Sequence, residues 1–337
     1  MERRKVFLLA VLPLFAAALA LHLLSGFRLA DIPGLVSAVL RFEAESFDEA
    51  VLLYQRLPRS LIAIYVGAVT AACGLVLQSL VRNPLASPAT MGVNAGAALF
   101  MVTGTLVFGL GPKLQGVAAL GGALAGFISC FAVARFAGRR NDTRGLSLIL
   151  SGALVSMLFT GVTNAILLAD PARRSEFLSW VIGTINHAYV DRLILFWWIG
   201  AAAIVAFMLL ARPLTLILFG AEKAASTGVN VLLVYSIAIL AAVSGAGSAV
   251  AVCGPIGFVG LVVPHIVRPL VGNNLTHALP ASMATGAIVC LLADLFAREA
   301  LYPHILNTGL VTDLVGGIVF VVIVKRFYLS PVHREAA

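Results

Sequence analysis

The sequence predicts an all-α integral membrane protein with ten transmembrane helices, folded as a single domain over residues 1–337. Three observations carry this. Hydrophobic residues make up 61% of the chain and charged ones 11%, with a mean hydropathy of +1.02, against about 25% charge in soluble domains. The charges bound uncharged runs of membrane length. Those runs lack strand-like alternation, and in lipid only helices and closed barrels satisfy the backbone. A water-soluble enzyme is excluded. Ten crossings of about 20 residues take about 200 residues, so no second folded domain is expected.

The first crossing is the apolar run from Val6 to Phe27. It follows a basic start like that of a signal peptide but, at 22 residues, is longer than the usual apolar region of one, and it is read as an uncleaved helix. Arg59 and Arg82 enclose 22 uncharged residues, Arg82 and Lys113 enclose 30, Lys113 and Arg135 enclose 21, and Arg144 and Asp170 enclose 25. Each reads as one helix. The run from Leu193 to Leu210 is the sixth. Between Lys223 and Arg268 lie 44 residues without charge, enough for two helices, with Gly254 and Pro255 as the break. The ninth follows Arg268 to about Ala297, and the tenth runs from Gly309 to Val324, interrupted by Asp313.

An even number of crossings puts both termini on one side. Assigning them to the cytoplasm places 14 Lys/Arg there and 9 outside, the direction the positive-inside rule favours. The net charge of +8 is scattered in ones, twos and threes, so these are loop charges that orient spans rather than a nucleic-acid stripe. Cys73, Cys130, Cys253 and Cys290 all lie in apolar runs without CxxC spacing and are expected as free, packed thiols.

Small residues let helices approach in lipid, and Gly122-x-x-x-Gly126 and Gly257-x-x-Gly260 read as packing positions. Proline-broken stretches at residues 83–88 and 254–264 occur once in each half, which points to an inverted repeat lining a pathway. No HExxH, paired catalytic aspartates, Gly-x-Ser-x-Gly elbow or phosphate-cradling GxxxxGK[ST] loop is present, and the six histidines have no metal-ligand spacing. An intramembrane enzyme therefore lacks its chemistry, and any ATP-driven transport needs its ATPase on another subunit. An ion-coupled carrier would need intramembrane carboxylates, and only Asp294 and Asp313 qualify. Asp294 stands four residues before Arg298, so an internal ion pair is the plain reading.

Two ordered blocks resemble a known family. Arg56-Leu-Pro-Arg59, Gly67-Ala68, Gly74, Gln78, Arg82-Asn-Pro-Leu-Ala-Ser-Pro88 and Gly92-Val-Asn-Ala-Gly-Ala97 resemble the amino-terminal signature of permeases from type II ABC importers for iron-siderophore, haem and cobalamin. Gly254 through Arg268, with Leu279-Pro280, Gly286-Ala287 and Ala293 to Arg298, is similar to the carboxy-terminal one. The resemblance implies the vitamin B12/iron-siderophore permease fold, without catalytic residues or bound cofactor. Implied partners are a second copy or homologue, two cytoplasmic ATPases that hold ATP and Mg, and a periplasmic or lipid-anchored binding protein. The implied cargo is an iron chelate, a ferric siderophore first, with haem or cobalamin as alternatives.

Site roles follow by position. Arg56, Arg59 and Arg298 match residues that meet acidic groups of the binding protein, the alternative being cations that snorkel to headgroups. Asn83 and Leu85 match the cytoplasmic constriction of the pathway, the alternative being an ordinary tight turn. Residues 212–230 match the segment that docks on the ATPase, with Gly220, Glu222, Ala224, Ala225 and Gly228 as its surface, the alternative being a plain amphipathic connector. One stretch departs from the pattern. Ile305-Leu-Asn-Thr-Gly309 and Gly316-Gly-Ile318 replace the family's Glu-Leu-Pro-x-Gly and Gly-Ala-Pro, and Asp313 falls between them.

Overall fold

The computed structural model describes residues 2–26, 32–137, 145–301 and 304–327. Among them every regular element is helical. The ten expected runs correspond, in order, to α1 (Glu2–Leu24), α4 (Leu57–Val81), α5 (Val93–Leu106), α6 (Pro112–Ala137), α7 (Leu146–Ala169), α9 (Val190–Leu218), α11 (Val231–Cys253), α12 (Val259–Val271), α13 (Leu275–Glu299) and α14 (Thr308–Phe327). Four short helices lie between them: α2 (Ile32–Arg41), α3 (Phe47–Val51), α8 (Pro171–Ile182) and α10 (Ala221–Ser226).

Six helical stretches are long and apolar enough to cross a membrane: those containing α4, α6, α7, α9, α11 and α13. The apolar stretches of α1, α5, α12 and α14 are shorter. At 1.5 Å per residue, α5 and α12 reach only about 20 Å of the roughly 30 Å hydrocarbon core. Each of these two follows an irregular segment, and irregular backbone is tolerated at membrane depth where protein surrounds it or water fills it.

The two irregular segments are built alike. The first opens on Arg82 (φ 53°) and closes on Gly92 (φ 80°) before α5; the second opens on Gly254 (φ 80°) and closes on Phe258 (φ 27°) before α12. Left-handed backbone at both ends turns the chain sharply without a long loop, and Phe258 holds that conformation at a steric cost. The first segment also meets the start of α12, since a Cβ on Gly260 would touch Pro88 at 3.3 Å.

α4 is the axis of the fold. In its apolar window 78% of residues are buried, against 22% in α7, which sits at the periphery. It packs on α13, α11, α12 and α9, while α5, α6 and α7 form a second group. Bare glycine backbone makes these approaches. A Cβ on Gly67 would run into the Gly286 carbonyl of α13, and one on Gly74 into the Gly260 carbonyl of α12. Gly122 and Gly126 pack on Gly96 and Gly92, as their spacing predicts, whereas Gly257 instead faces Asp313.

Two expectations need correction. α9 does not end near Arg212; it continues through Pro213 to Leu218, because Leu214 and Ile217 are buried and hold the last turns in place. Asp294 does not pair with Arg298 on its own helix, for reasons given below. All four cysteines are free and buried. The loop around Arg139 and Arg140, expected on the cytoplasmic side, and the end containing Arg334 lie outside the described residues.

Candidate functional site

The entrance to α4 is assembled in small steps. Ser46 caps α3 through a reciprocal box with Glu49, and a π-turn over Leu52–Arg56 leads into α4, with Pro58 in its first turn, where the missing N–H costs nothing. This places Arg56 and Arg59 one turn apart at the mouth. Arg298, in the last turn of α13, joins them, and the three arginines line one recess of ≈ 690 Å³ with Asn186, His187 and Glu299. The three residues predicted to dock a binding protein are thus brought together.

Their states differ. Arg56 Nη1 donates to the Leu23 carbonyl at 2.8 Å and to the Ser25 carbonyl, while Arg298 Nη2 donates to the His22 carbonyl at 2.9 Å and to Ser25 Oγ at 3.2 Å. Both are partly buried and tie the end of α1 to the recess. Arg59 is buried and committed inward: its Nε donates to Asp294 Oδ2 at 2.6 Å and its Nη2 to Oδ1 at 2.8 Å. Its charge is therefore met by a carboxylate within the fold, although the residue also lines the recess.

Asp294 has two further donors. Thr308 Oγ1 reaches Oδ1 at 2.7 Å and His22 Nε2 reaches Oδ2 at 2.9 Å, with His22 Nδ1 2.7 Å from Ser60 Oγ. Four bonds fill the carboxylate's acceptor capacity. One fully buried anion thus pins α1, α4, α13 and α14 beneath the recess. Ser60 and Thr308 carried no signal in the sequence. His22 did, as a lone polar residue deep in the first apolar run.

α4 has 25 residues, so at 1.5 Å each its far end is about 37 Å away. There Arg82 donates to the Ile217 carbonyl of α9 at 3.0 Å, and Tyr235 of α11 donates to Leu80 at 3.3 Å. Asn83 Oδ1 accepts from Leu85 N at 3.0 Å, an Asx-turn that sets the first irregular segment. Asn83 is buried and Leu85 half-exposed. The helix α12, which follows the second segment, is braced on the same helix: Gln78 Nε2 donates to the Leu261 carbonyl at 3.1 Å, and Arg268 donates to Ser79 Oγ at 3.0 Å.

The short helix α10 projects at this end. Gly220 precedes it at φ 140°, and Gly228 follows at φ 87°. Gly228 N donates to Ala225 O at 2.9 Å and Val229 N to Ala224 O at 3.2 Å, the paired bonds of a Schellman cap. Gly228 is required by this cap. Glu222, Ala225 and Gly228 are exposed, but Ala224 is only 1% exposed and packs into the core, so it cannot form the outward surface expected of it. Asp313 lies on an exposed face of α14, with its carboxylate against the Gly257 backbone.

The sequence matches the FecCD transport family over residues 14–326. It is 34% identical over 280 residues to the Bacillus subtilis protein named "Probable siderophore transport system permease protein YfiZ", covering 83% of this chain and 84% of that one. It is 35% identical over 298 residues to the Fe(3+) dicitrate transport system permease protein FecC of Escherichia coli, covering 86% and 87%. A solved inward-facing structure of a metal-chelate type ABC transporter superposes with a TM-score of 0.77 at 27% identity, covering 96% of this chain and all of that one. With ten apolar helices in the expected order and a matching fold throughout, the chain belongs to the FecCD transport family of multi-pass membrane permeases.

Proposed function

We propose that this chain is the membrane-spanning permease of a binding-protein-dependent ABC importer that passes a ferric siderophore into the cytoplasm. One observation carries the reading: a recess with three arginines and an exposed short helix stand at opposite ends of α4. The recess suits the acidic groups of a delivering protein, and charge complementarity there sets register and encounter rate. The helix α10 suits a motor that pushes on the bundle from the other side. The siderophore and ferric dicitrate transport named for the two bacterial relatives supports an iron chelate as cargo.

In this scheme a second copy or homologue completes the pathway, and two cytoplasmic ATPases hold ATP and Mg and drive alternating access. The α10 end faces the cytoplasm together with both termini. The loop segments around Asn83–Leu85 and Gly254–Phe258 supply irregular backbone that can rearrange between inward and outward states. An ion-coupled carrier built on Asp294 is disfavoured, because all four acceptor positions of that carboxylate are occupied.

Proteoliposomes holding the chain with its partner ATPase, given radiolabelled iron as siderophore, haem or cobalamin, test the proposal. ATP-dependent uptake of ferric siderophore that requires the binding protein is the expected result. Uptake driven by a proton or sodium gradient without the ATPase overturns it, and selective uptake of haem or cobalamin overturns the cargo.

A further inference from the structure

A second recess at the same end of the bundle as the arginine cluster has no role in the scheme above. It has a volume of ≈ 750 Å³ and lies between the start of α6, the end of α8 and the start of α9. Arg192 lines it and is buried. Its Nη2 donates to Gln115 Oε1 at 2.7 Å and its guanidinium stacks 4.9 Å over the Tyr189 ring, but among the described residues its Nη1 has no hydrogen-bond partner. Trp180, also buried and lining the recess, likewise has an indole Nε1 without a partner among the described residues. Lys113 adds an exposed ammonium at the rim, and Asp191 an exposed carboxylate.

Buried donors without acceptors are costly, and a charged one more so, so such groups mark a place where an acceptor binds. Lys113 and Arg192 against Asp191 leave one net positive charge in the recess. A monoanionic oxyacid group fits both the charge and the donors, since a phosphodiester offers two acceptor oxygens to a guanidinium edge.

The surroundings say which phosphodiester. Leu114 lines the recess and is 55% exposed. Trp197 and Trp198, both less than two turns beyond Arg192 on other faces of α9, are 54% and 58% exposed. Exposed tryptophans near the start of a spanning helix mark headgroup depth, where aromatic side chains gather. The recess therefore lies at headgroup depth, with an exposed apolar side chain in its wall. We propose that it is a binding site for the phosphate of an anionic phospholipid, held by Arg192, Trp180 and Lys113, and independent of which cargo the chain carries.

Native mass spectrometry of the full chain, purified in detergent and supplied with phosphatidylglycerol, phosphatidylcholine or inorganic phosphate, tests this. The chain is expected to retain phosphatidylglycerol in preference to phosphatidylcholine, and excess inorganic phosphate should not displace it. Arg192→Gln should weaken retention about tenfold, the worth of a lost charge-assisted bond. Trp180→Phe keeps an aromatic ring but loses the N–H, and Lys113→Gln lies at the surface, so both should fold and both should retain less lipid even if Arg192→Gln does not fold. Unchanged retention in these two variants overturns the proposal. Displacement by inorganic phosphate assigns the site to the free anion and also overturns it, as does crosslinking of position 113 to the binding protein with no lipid retained.

Discussion

Arg59 and Asp294, 235 residues apart in the chain, form a two-pronged ion pair in the interior, with bonds of 2.6 and 2.8 Å. Removing one member leaves an uncompensated buried charge, at a cost of about 3–5 kcal/mol. Asp294→Leu should therefore reduce folded yield and lower the melting temperature in detergent. An Arg59→Met/Asp294→Leu double variant should lose less than the sum of the two single changes. Scanning fluorimetry of the four proteins checks the cycle, and additive losses would show that the pair is not coupled.

The recess arginines should separate by mechanism. Arg56→Glu and Arg298→Glu should slow capture of the binding protein and reduce its salt dependence, while ATPase association persists. Arg59→Glu should instead fail by unfolding, since it sets two carboxylates against each other in a buried site. Binding kinetics alongside size-exclusion profiles distinguish lost docking from lost fold.

How much of this was legible in the sequence depends on the range of the interactions. Each uncharged run became one helix in order, except the 44-residue run from Lys223 to Arg268, which became two, α11 and α12, because the cost of a charge in lipid acts on the chain locally. The partner of Asp294 was not legible, since the i, i+4 rule favours Arg298 while the tertiary fold brings Arg59, His22 and Thr308 to the same carboxylate. The sixth uncharged run stops at Leu210, but burial of Leu214 and Ile217 carries α9 past Arg212 and Pro213 and outweighs one missing hydrogen bond. The recess itself was readable only through the resemblance, because its three arginines come from segments far apart in the chain.

The short helix α10 offers a matched pair. Ala225 is exposed and Ala224 is buried one residue earlier. Ala225→Trp should leave the chain folded and uncouple ATP hydrolysis from uptake, whereas Ala224→Trp should overpack the core and lower the yield, by about 1–3 kcal/mol or more. ATPase stimulation by loaded binding protein, measured per folded complex, reads the first effect separately from the second.

Glycine positions give an internal control for helix approach. A Cβ on Gly74 meets the Gly260 carbonyl, a backbone atom that cannot swing aside, so Gly74→Ala should force α4 and α12 apart and destabilise the bundle. Gly121 and Gly161 have nothing within 4 Å, and alanine there should be neutral or slightly stabilising through helix propensity. Thermal melting of the three variants in one detergent tests the contrast.

Asp313 sits on a face of α14 where Leu310, Leu314 and Ile318 are also exposed. A carboxylate turned to hydrocarbon costs about 2.5–3.5 kcal/mol even by the most lenient scale, so such residues face water or protein. Gly257, in the second irregular segment, lies against it, which is where irregular backbone borders a cavity. The face is therefore expected to line the pathway rather than the bilayer. In Asp313→Cys, a membrane-impermeant thiol reagent should label position 313 while the four native cysteines, all buried, stay unmodified in the folded chain. Cys substitutions at Leu150 and Leu209, exposed on α7 and α9, serve as lipid-facing controls and should resist the reagent. If position 313 labels no faster than those controls, the carboxylate lies out of reach of water and its role is contact with another chain.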